Sequence, residues 1–449
     1  MHLNIRKISL AAPLVLLLAF AAFAQTGKID NITEQASLVT EFDVNGLKVL
    51  VKRRASAPTV AVGLFIRGGA RNITDKNAGI ENLTLTSAVE AGTKFPRAAL
   101  RRELASTGST ISAAAAKDYS AVSFASTRRN FDRMWDLFTD VTINPTFAVD
   151  DVERVRRQIL TGLRESQTSP DSALQALQDR VIYAGHPYAN DVTGTLTTTA
   201  AFTPADLRAY HKSLMQTSRL LLVVVGDIDP NDLRSRIAAS FGKLPHGDYK
   251  ELPLPALDFS TSTVDITPRT IQTNYVQGIF AAPSLSNPDY SAMRVATTIL
   301  QQMVYEEVRV KRQLSYAPSA DLNNYAANTA NIYVTAVDAN TAVKVMLDQI
   351  DELKNDQVGQ EMINGMAGQF LTNYYLAQET NAAQAGELAR YELIGGGWRN
   401  SFEFLNRIRE VKSADVQAVA KKYMKNIRFV VIGNPQAVDK TVFMAAARQ

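Results

Sequence analysis

Gly79-Ile-Glu-Asn-Leu-Thr-Leu-Thr-Ser-Ala-Val-Glu-Ala-Gly-Thr93 follows an apolar run, Thr59 to Ile66, and a polar, glycine-rich turn from Arg67 to Asn77. Ile80, Leu83, Leu85, Ala88 and Val89 recur at the spacing of a helix with a wide apolar face, so the segment reads as strand, loop, helix. Asp75 or Asn77 stands where it can cap the first turn, and Gly92 where it can stop the helix.

Upstream, Leu38 to Lys52 reads as a hairpin around Asn45-Gly46. Downstream come a helix near Arg97 to Thr107 and a pair of strands, Ser109 to Ala116 and Ala121 to Ser126. Helices follow at Phe131 to Val141, Val149 to Glu165 and Ser172 to Tyr183, and a buried strand at Arg219 to Gly226. The Pro- and Leu-rich run from His246 to Ser260 has no periodicity and reads as a linker. Beyond it, Ser315 to Asn324, Asn331 to Val337 and a helix from Asn340 to Leu353 repeat the order of the first half at an offset near 210 residues, which implies a duplicated α+β domain. Helices at Gln357 to Leu376, Asn381 to Ile394 and Phe402 to Val411, and a strand at Arg428 to Ile432, complete the second half. The domains expected are 25–245 and 262–449, joined by 246–261.

Met1 to Ala24 has a basic start at Arg6 and Lys7, an apolar stretch from Ile8 to Phe23, and small residues ahead of Gln25. It reads as a secretory signal, with an uncleaved anchor as the alternative, and it points to a periplasmic or secreted protein without stable membrane insertion once the signal is removed. The chain has no cysteine, which excludes disulfides, thiolate metal sites and thiol nucleophiles. Its net charge of +4 is spread along the sequence rather than in blocks, so nothing points to nucleic acid. Past the signal the histidines are His186, His211 and His246, too far apart for a local metal motif. Gly395-Gly-Gly397 lacks the preceding strand and following Lys-Ser or Lys-Thr of a phosphate loop and reads as a helix break.

The frame of Arg67-Gly-Gly-Ala-Arg71, Gly79 and Gly92-Thr93-Lys94, with the later His186-Pro-Tyr188, resembles the pitrilysin and insulinase-like zinc peptidases. In that family this helix carries His-x-x-Glu-His, two zinc-binding histidines and a general base. Counted from Gly79, those positions fall on Asn82, Leu85 and Thr86; counted back from Gly92, on Leu83, Thr86 and Ser87. Neither set suits zinc, and Leu85 cannot accept a proton. The third ligand is expected beyond a Glu-Arg pair, here Glu153-Arg154, where Gln158, Ile159 and Leu160 stand. His186 reads as a loop or packing histidine and Glu165 as a surface charge. The resemblance therefore implies the fold, two homologous sandwich-like domains, each a mixed sheet with helices packed on one face, forming half of a clamshell chamber, without a metal or cofactor in this chain.

It also implies one functional pair. Arg309 and Tyr316, seven positions apart, match an arginine and a tyrosine that in the family hold substrate carbonyl groups. Guanidinium and phenol are both hydrogen-bond donors, which suits that task. The Ala113 to Ala116 run could be an edge onto which a peptide adds, or plain close packing. The expectation is a non-catalytic subunit of a heterodimeric zinc endopeptidase. A sibling subunit with His-x-x-Glu-His would hold the zinc, and an unstructured peptide would be the substrate. The alternatives are an inactive homologue acting as a peptide-binding scaffold and an enzyme with relocated ligands.

Overall fold

The computed structural model describes residues 32–444, so the signal read in residues 1–24 lies outside the described residues. Among the described residues eleven strands form two sheets. The first comprises β1 (Val39–Val44), β2 (Leu47–Arg53), β3 (Thr59–Arg67), β4 (Thr110–Ala114), β5 (Tyr119–Thr127) and β6 (Leu220–Gly226), in the order β1-β2-β6-β3-β5-β4. The second comprises β7 (Thr263–Pro268), β8 (Asn274–Ala281), β9 (Ser319–Leu322), β10 (Thr329–Ala336) and β11 (Arg428–Gly433), in the order β7-β11-β8-β10-β9.

Removing β1 leaves the same plan twice. β2 runs parallel to β6, as β7 does to β11, and every other pairing is antiparallel. The central strand β6 is apolar throughout, as burial on both faces requires: Leu-Leu-Leu-Val-Val-Val-Gly is buried at every position. The edge strand β4 alternates between exposed and half-buried residues instead. The β1–β2 turn follows the expected chemistry, with Asn45 and Gly46 both at positive φ (53° and 81°).

The helices of the first half are α1 (Ile32–Ser37), α2 (Ile80–Ala88), α3 (Arg97–Thr107), α4 (Phe131–Ile143), α5 (Val149–Thr168), α6 (Pro170–Ile182), α7 (Leu196–Ala201), α8 (Pro204–Leu214) and α9 (Pro230–Ala239). Those of the second are α10 (Tyr290–Val304), α11 (Ala339–Asn355), α12 (Gln360–Ala377), α13 (Asn381–Ile394), α14 (Asn400–Glu410), α15 (Ser413–Tyr423) and α16 (Lys440–Phe443). α2 ends at Ala88, not at Gly92. Gly92 bridges to Pro145, and a Cβ there would stand 2.0 Å from Asp140 Oδ2. Neither Asp75 nor Asn77 caps α2. Its N-cap is Gly79 at φ 82°, while Asn77 closes a short turn begun at Thr74.

Each half also lends one helix to the other. α13 lies on β3 and β6, where Ala385, Leu388, Ala389, Trp398 and Phe402 pack on Leu50, Phe65, Leu221, Val223 and Val225. In return α6 lies on β8 and β11, with Leu174 and Leu177 against Ile279, Val430 and Ile432. At roughly 1.5–3 kcal/mol for each fully buried large apolar side chain, the exchange welds the halves together. Polar clasps add direction: Asn381 Nδ2 donates to the Thr59 carbonyl at 2.6 Å, Trp398 Nε1 to Glu41 at 2.7 Å, and the Ala326 N–H to Asp118 at 3.1 Å. The Pro- and Leu-rich segment between the sheets carries no helix or strand from 244 to 262, yet it is no loose tether. Leu254, Leu257 and Phe259 pack into the core beside α6, and Arg219 lies 4.7 Å from the Tyr249 ring.

Candidate functional site

α2 and α5 lie side by side, as a metal-binding pair of helices would require. Asn82 and Thr86 sit one above the other on the half-buried side of α2. Asn82 Nδ2 donates to the Thr193 carbonyl at 3.2 Å, and Thr86 Oγ1 reaches Asn82 Oδ1 at 3.5 Å. Leu85, at the position a general base would need, is 1% exposed and packed in the core of the first half. In the alternative register Leu83 and Ser87 are buried. On α5, Leu160 is half-buried, and its neighbour Ile159 packs against the apolar cluster that contains Ile80 and Leu83.

This donor set does not fit zinc. An amide and a hydroxyl already engaged with each other and with backbone, beside two leucines, offer neither imidazole nor thiolate. Among the described residues no three His, Cys, Asp or Glu side chains are placed to hold a metal. The helix pair is instead braced by ions. Glu90 accepts from Arg101 at 2.7 Å and Arg154 at 2.5 Å. Burial works against ionisation of Glu90, but hydrogen bonds and charge from those arginines outweigh it and hold the carboxyl below its usual range. Deeper in α2, buried Glu81 accepts from Ser120 and from Tyr210 Oη at 2.7 Å, with Arg219 3.6 Å away. Its burial raises the carboxyl above the usual range despite Arg219.

His186 is a packing residue. Its Nδ1 accepts from the Tyr188 N–H at 3.1 Å, its ring packs edge-on to Tyr188 at 4.8 Å, and burial lowers its pKa. His211 is likewise buried, bonded to the Thr142 carbonyl at 2.8 Å.

Arg309 and Tyr316 are brought together. α10 runs without a break into a π-helical turn, Tyr305–Lys311, where the wider winding carries Arg309. Val304 and Val308 anchor that turn in the second core, and Gln313 at φ 53° folds the chain back. The Arg309 guanidinium then lies 4.1 Å from the Tyr316 ring centroid and 5.1 Å from that of Tyr305. Tyr316 is 79% exposed. Sequence reading missed Tyr305 as the third member of this stack, although its spacing of four from Arg309 puts both on one side of a helix. Lys311 and Arg312 do not share the role, because both are bound to Glu307.

Residues 48–196 match the family model described as Insulinase (Peptidase family M16), and residues 201–369 match that of the Peptidase M16 inactive domain. Among similar curated proteins, a zinc protease of Mycobacterium leprae is 22% identical over 88% of this chain and 92% of its own length. Subunit 1 of the mitochondrial cytochrome b-c1 complex of Bos taurus is 25% identical over 58% of this chain and 55% of its own. Among solved structures, a peptidase M16 inactive domain from Pseudomonas fluorescens superposes with a TM-score of 0.80 at 21% identity, covering 88% of this chain and 98% of that one. A protease from Helicobacter pylori gives 0.79 at 16% identity, over 88% and 99%.

Proposed function

The chain belongs to the insulinase family, peptidase family M16, and lacks that family's catalytic motif; from this we propose that it is the non-catalytic subunit of a heterodimeric zinc endopeptidase. A sibling carrying His-x-x-Glu-His would supply metal, base and water, and this chain would form the other half of a closed chamber around an unstructured peptide. The reading places the pair outside the cytoplasm, periplasmic or secreted, on the strength of residues 1–24.

The observation that carries it is the Arg309–Tyr316 stack. Two donors lie together at an exposed spot where no partner among the described residues accepts from them, which is the arrangement needed to grip a carbonyl oxygen. Stacking fixes the plane of the guanidinium, so less motion is lost when it binds. A second reading, a scaffold that never cleaves, draws on the similar subunit of the cytochrome b-c1 complex.

The two readings part on Arg309→Ala and Tyr316→Phe in the assembled enzyme. A charge-assisted hydrogen bond made in the transition state contributes about 1.5–3 kcal/mol, so each variant is expected to lose about 10- to 100-fold in kcat/KM without loss of folding or pairing. Tyr316→Phe removes one hydroxyl and keeps the stacked ring. Wild-type kinetics in both variants would remove the reason for giving this chain a part in catalysis.

A further inference from the structure

We propose that the polar cavity on the open face of the second sheet binds a neutral saccharide. α6 covers β8 and β11 of that sheet and leaves the side toward β10 and β9 uncovered, forming a cavity of about 600 Å³. Gln178 of α6, Gln277 of β8 and Asn331 of β10 line it. Gln178 is 4% and Asn331 7% exposed, and among the described residues neither side chain makes a hydrogen bond within the chain. Their amides face this common cavity, where solvent reaches them, so their donors and acceptors, unused by other described residues, stand ready for a ligand.

Packing does not demand this polarity. Where α6 packs on β8 and β11 the contacts are apolar, Leu174 and Leu177 in one cluster with Ile279, Val430 and Ile432, and toward β10 its Asp171 accepts from Tyr333 Oη at 2.7 Å. The duplicated half provides a second comparison. The corresponding cleft beside α13 on the first sheet is lined by small residues such as Ala61, Gly63 and Ala121 together with Phe65, Ser112 and Ser123. The same place in the fold is built there without an amide or a phenol, and in the second half it carries both.

The chemistry selects an uncharged ligand rich in hydroxyl groups. Lys117, at the cavity wall, is bound to Asp179 at 2.9 Å, and Asp179 also accepts from Gln175, so these two charges are spent on each other; the other lining carboxylate, Asp321, accepts from Ser319 at 2.9 Å and can accept further from a hydroxyl while repelling an anion. A primary amide both donates and accepts, as vicinal hydroxyls do. The rings of Tyr325 and Tyr333 add flat surfaces suited to the C–H face of a pyranose. The wall consists of side chains standing on a sheet face, without the deep apolar pockets by which a peptide's side chains are usually read. The volume lies within the ordinary range for small-ligand sites and admits a short oligosaccharide.

The test is calorimetric titration of the full chain with maltotriose, cellotriose, N,N′,N″-triacetylchitotriose and, as a contrast, an uncharged tetrapeptide. At least one saccharide is expected to bind saturably, with affinity lowered about tenfold in each of Gln178→Met and Asn331→Leu. Both variants exchange an unpartnered amide for an apolar side chain of similar size, so they should melt at or above the wild-type temperature while binding weakens, a combination that a merely structural role does not produce. If either fails to fold, Gln277→Leu on the half-buried part of β8 carries the same comparison. No saturable binding of any saccharide, binding of the tetrapeptide alone, or undiminished binding in the variants would each overturn the proposal. These outcomes are read separately from the peptidase reading, whose test is at Arg309 and Tyr316, neither of which lines this cavity.

Discussion

Restoring the family's zinc motif in α2 should damage the protein before it could help it. Asn82→His and Thr86→His alter half-buried positions and are each expected to cost about 1 kcal/mol or less. Leu85→Glu is different, because Leu85 is 1% exposed among the side chains between α2 and the first sheet. Losing a buried leucine costs about 2–5 kcal/mol. A glutamate refills part of the volume, but its carboxyl, driven neutral by burial and left without a partner, adds about 1–3 kcal/mol. The expected loss is about 3–6 kcal/mol, a large share of the roughly 5–15 kcal/mol by which a domain is stable. Urea unfolding followed through Trp135, which packs in the same core, measures it, and elemental analysis reports zinc. A triple variant within about 1 kcal/mol of wild type and holding one zinc per chain would refute this account of the helix.

Glu81→Ala should destabilise the chain by about 3–5 kcal/mol, because Arg219 would be left buried without its carboxylate; a loss below about 1 kcal/mol in urea unfolding would show that the pair does little. Glu41 has a depressed pKa, chiefly through the hydrogen bond from Trp398 and then Lys48. A depressed carboxyl stabilises the fold above its ordinary value of 4.5 and loses that contribution as pH falls through the lower folded value. Acid should therefore loosen the Trp398 end of α13 from the first sheet, seen as a change in tryptophan emission that Glu41→Gln makes flatter with pH; an unchanged profile in that variant would contradict the assignment.

The duplication and the character of α2 were legible because they rest on local signals. Apolar periodicity gave α2, α4 and α5, and Asn45-Gly46 gave the first hairpin. The loss of the metal set was equally plain from Asn82, Leu85, Thr86 and Leu160. What periodicity could not convey was contact across the duplication. Nothing in the spacing of Leu174 and Leu177 says that they cover the second sheet rather than the first, since an apolar stripe specifies burial and not against what. For the same reason the segment after His246 reads only as a linker, and its sequence does not say that Tyr249, Leu254 and Phe259 are held by side chains distant in sequence. Gly92 was assigned to ending a helix when its place is set by Asp140, which sits where a Cβ would be. Tyr305 escaped notice because the π-helical turn that stacks it beneath Arg309 leaves no composition signal of its own. Gln178 and Asn331, on separate halves of the sequence, meet only in the folded chain.

The most direct measurement of the central claim is peptide hydrolysis by this chain, by a zinc-bearing sibling, and by the two mixed. Two half-chambers must close to orient a peptide and exclude water, so each alone should be nearly inactive and the mixture at least about tenfold above their sum in kcat/KM. A sibling fully active by itself and indifferent to this chain would contradict the account.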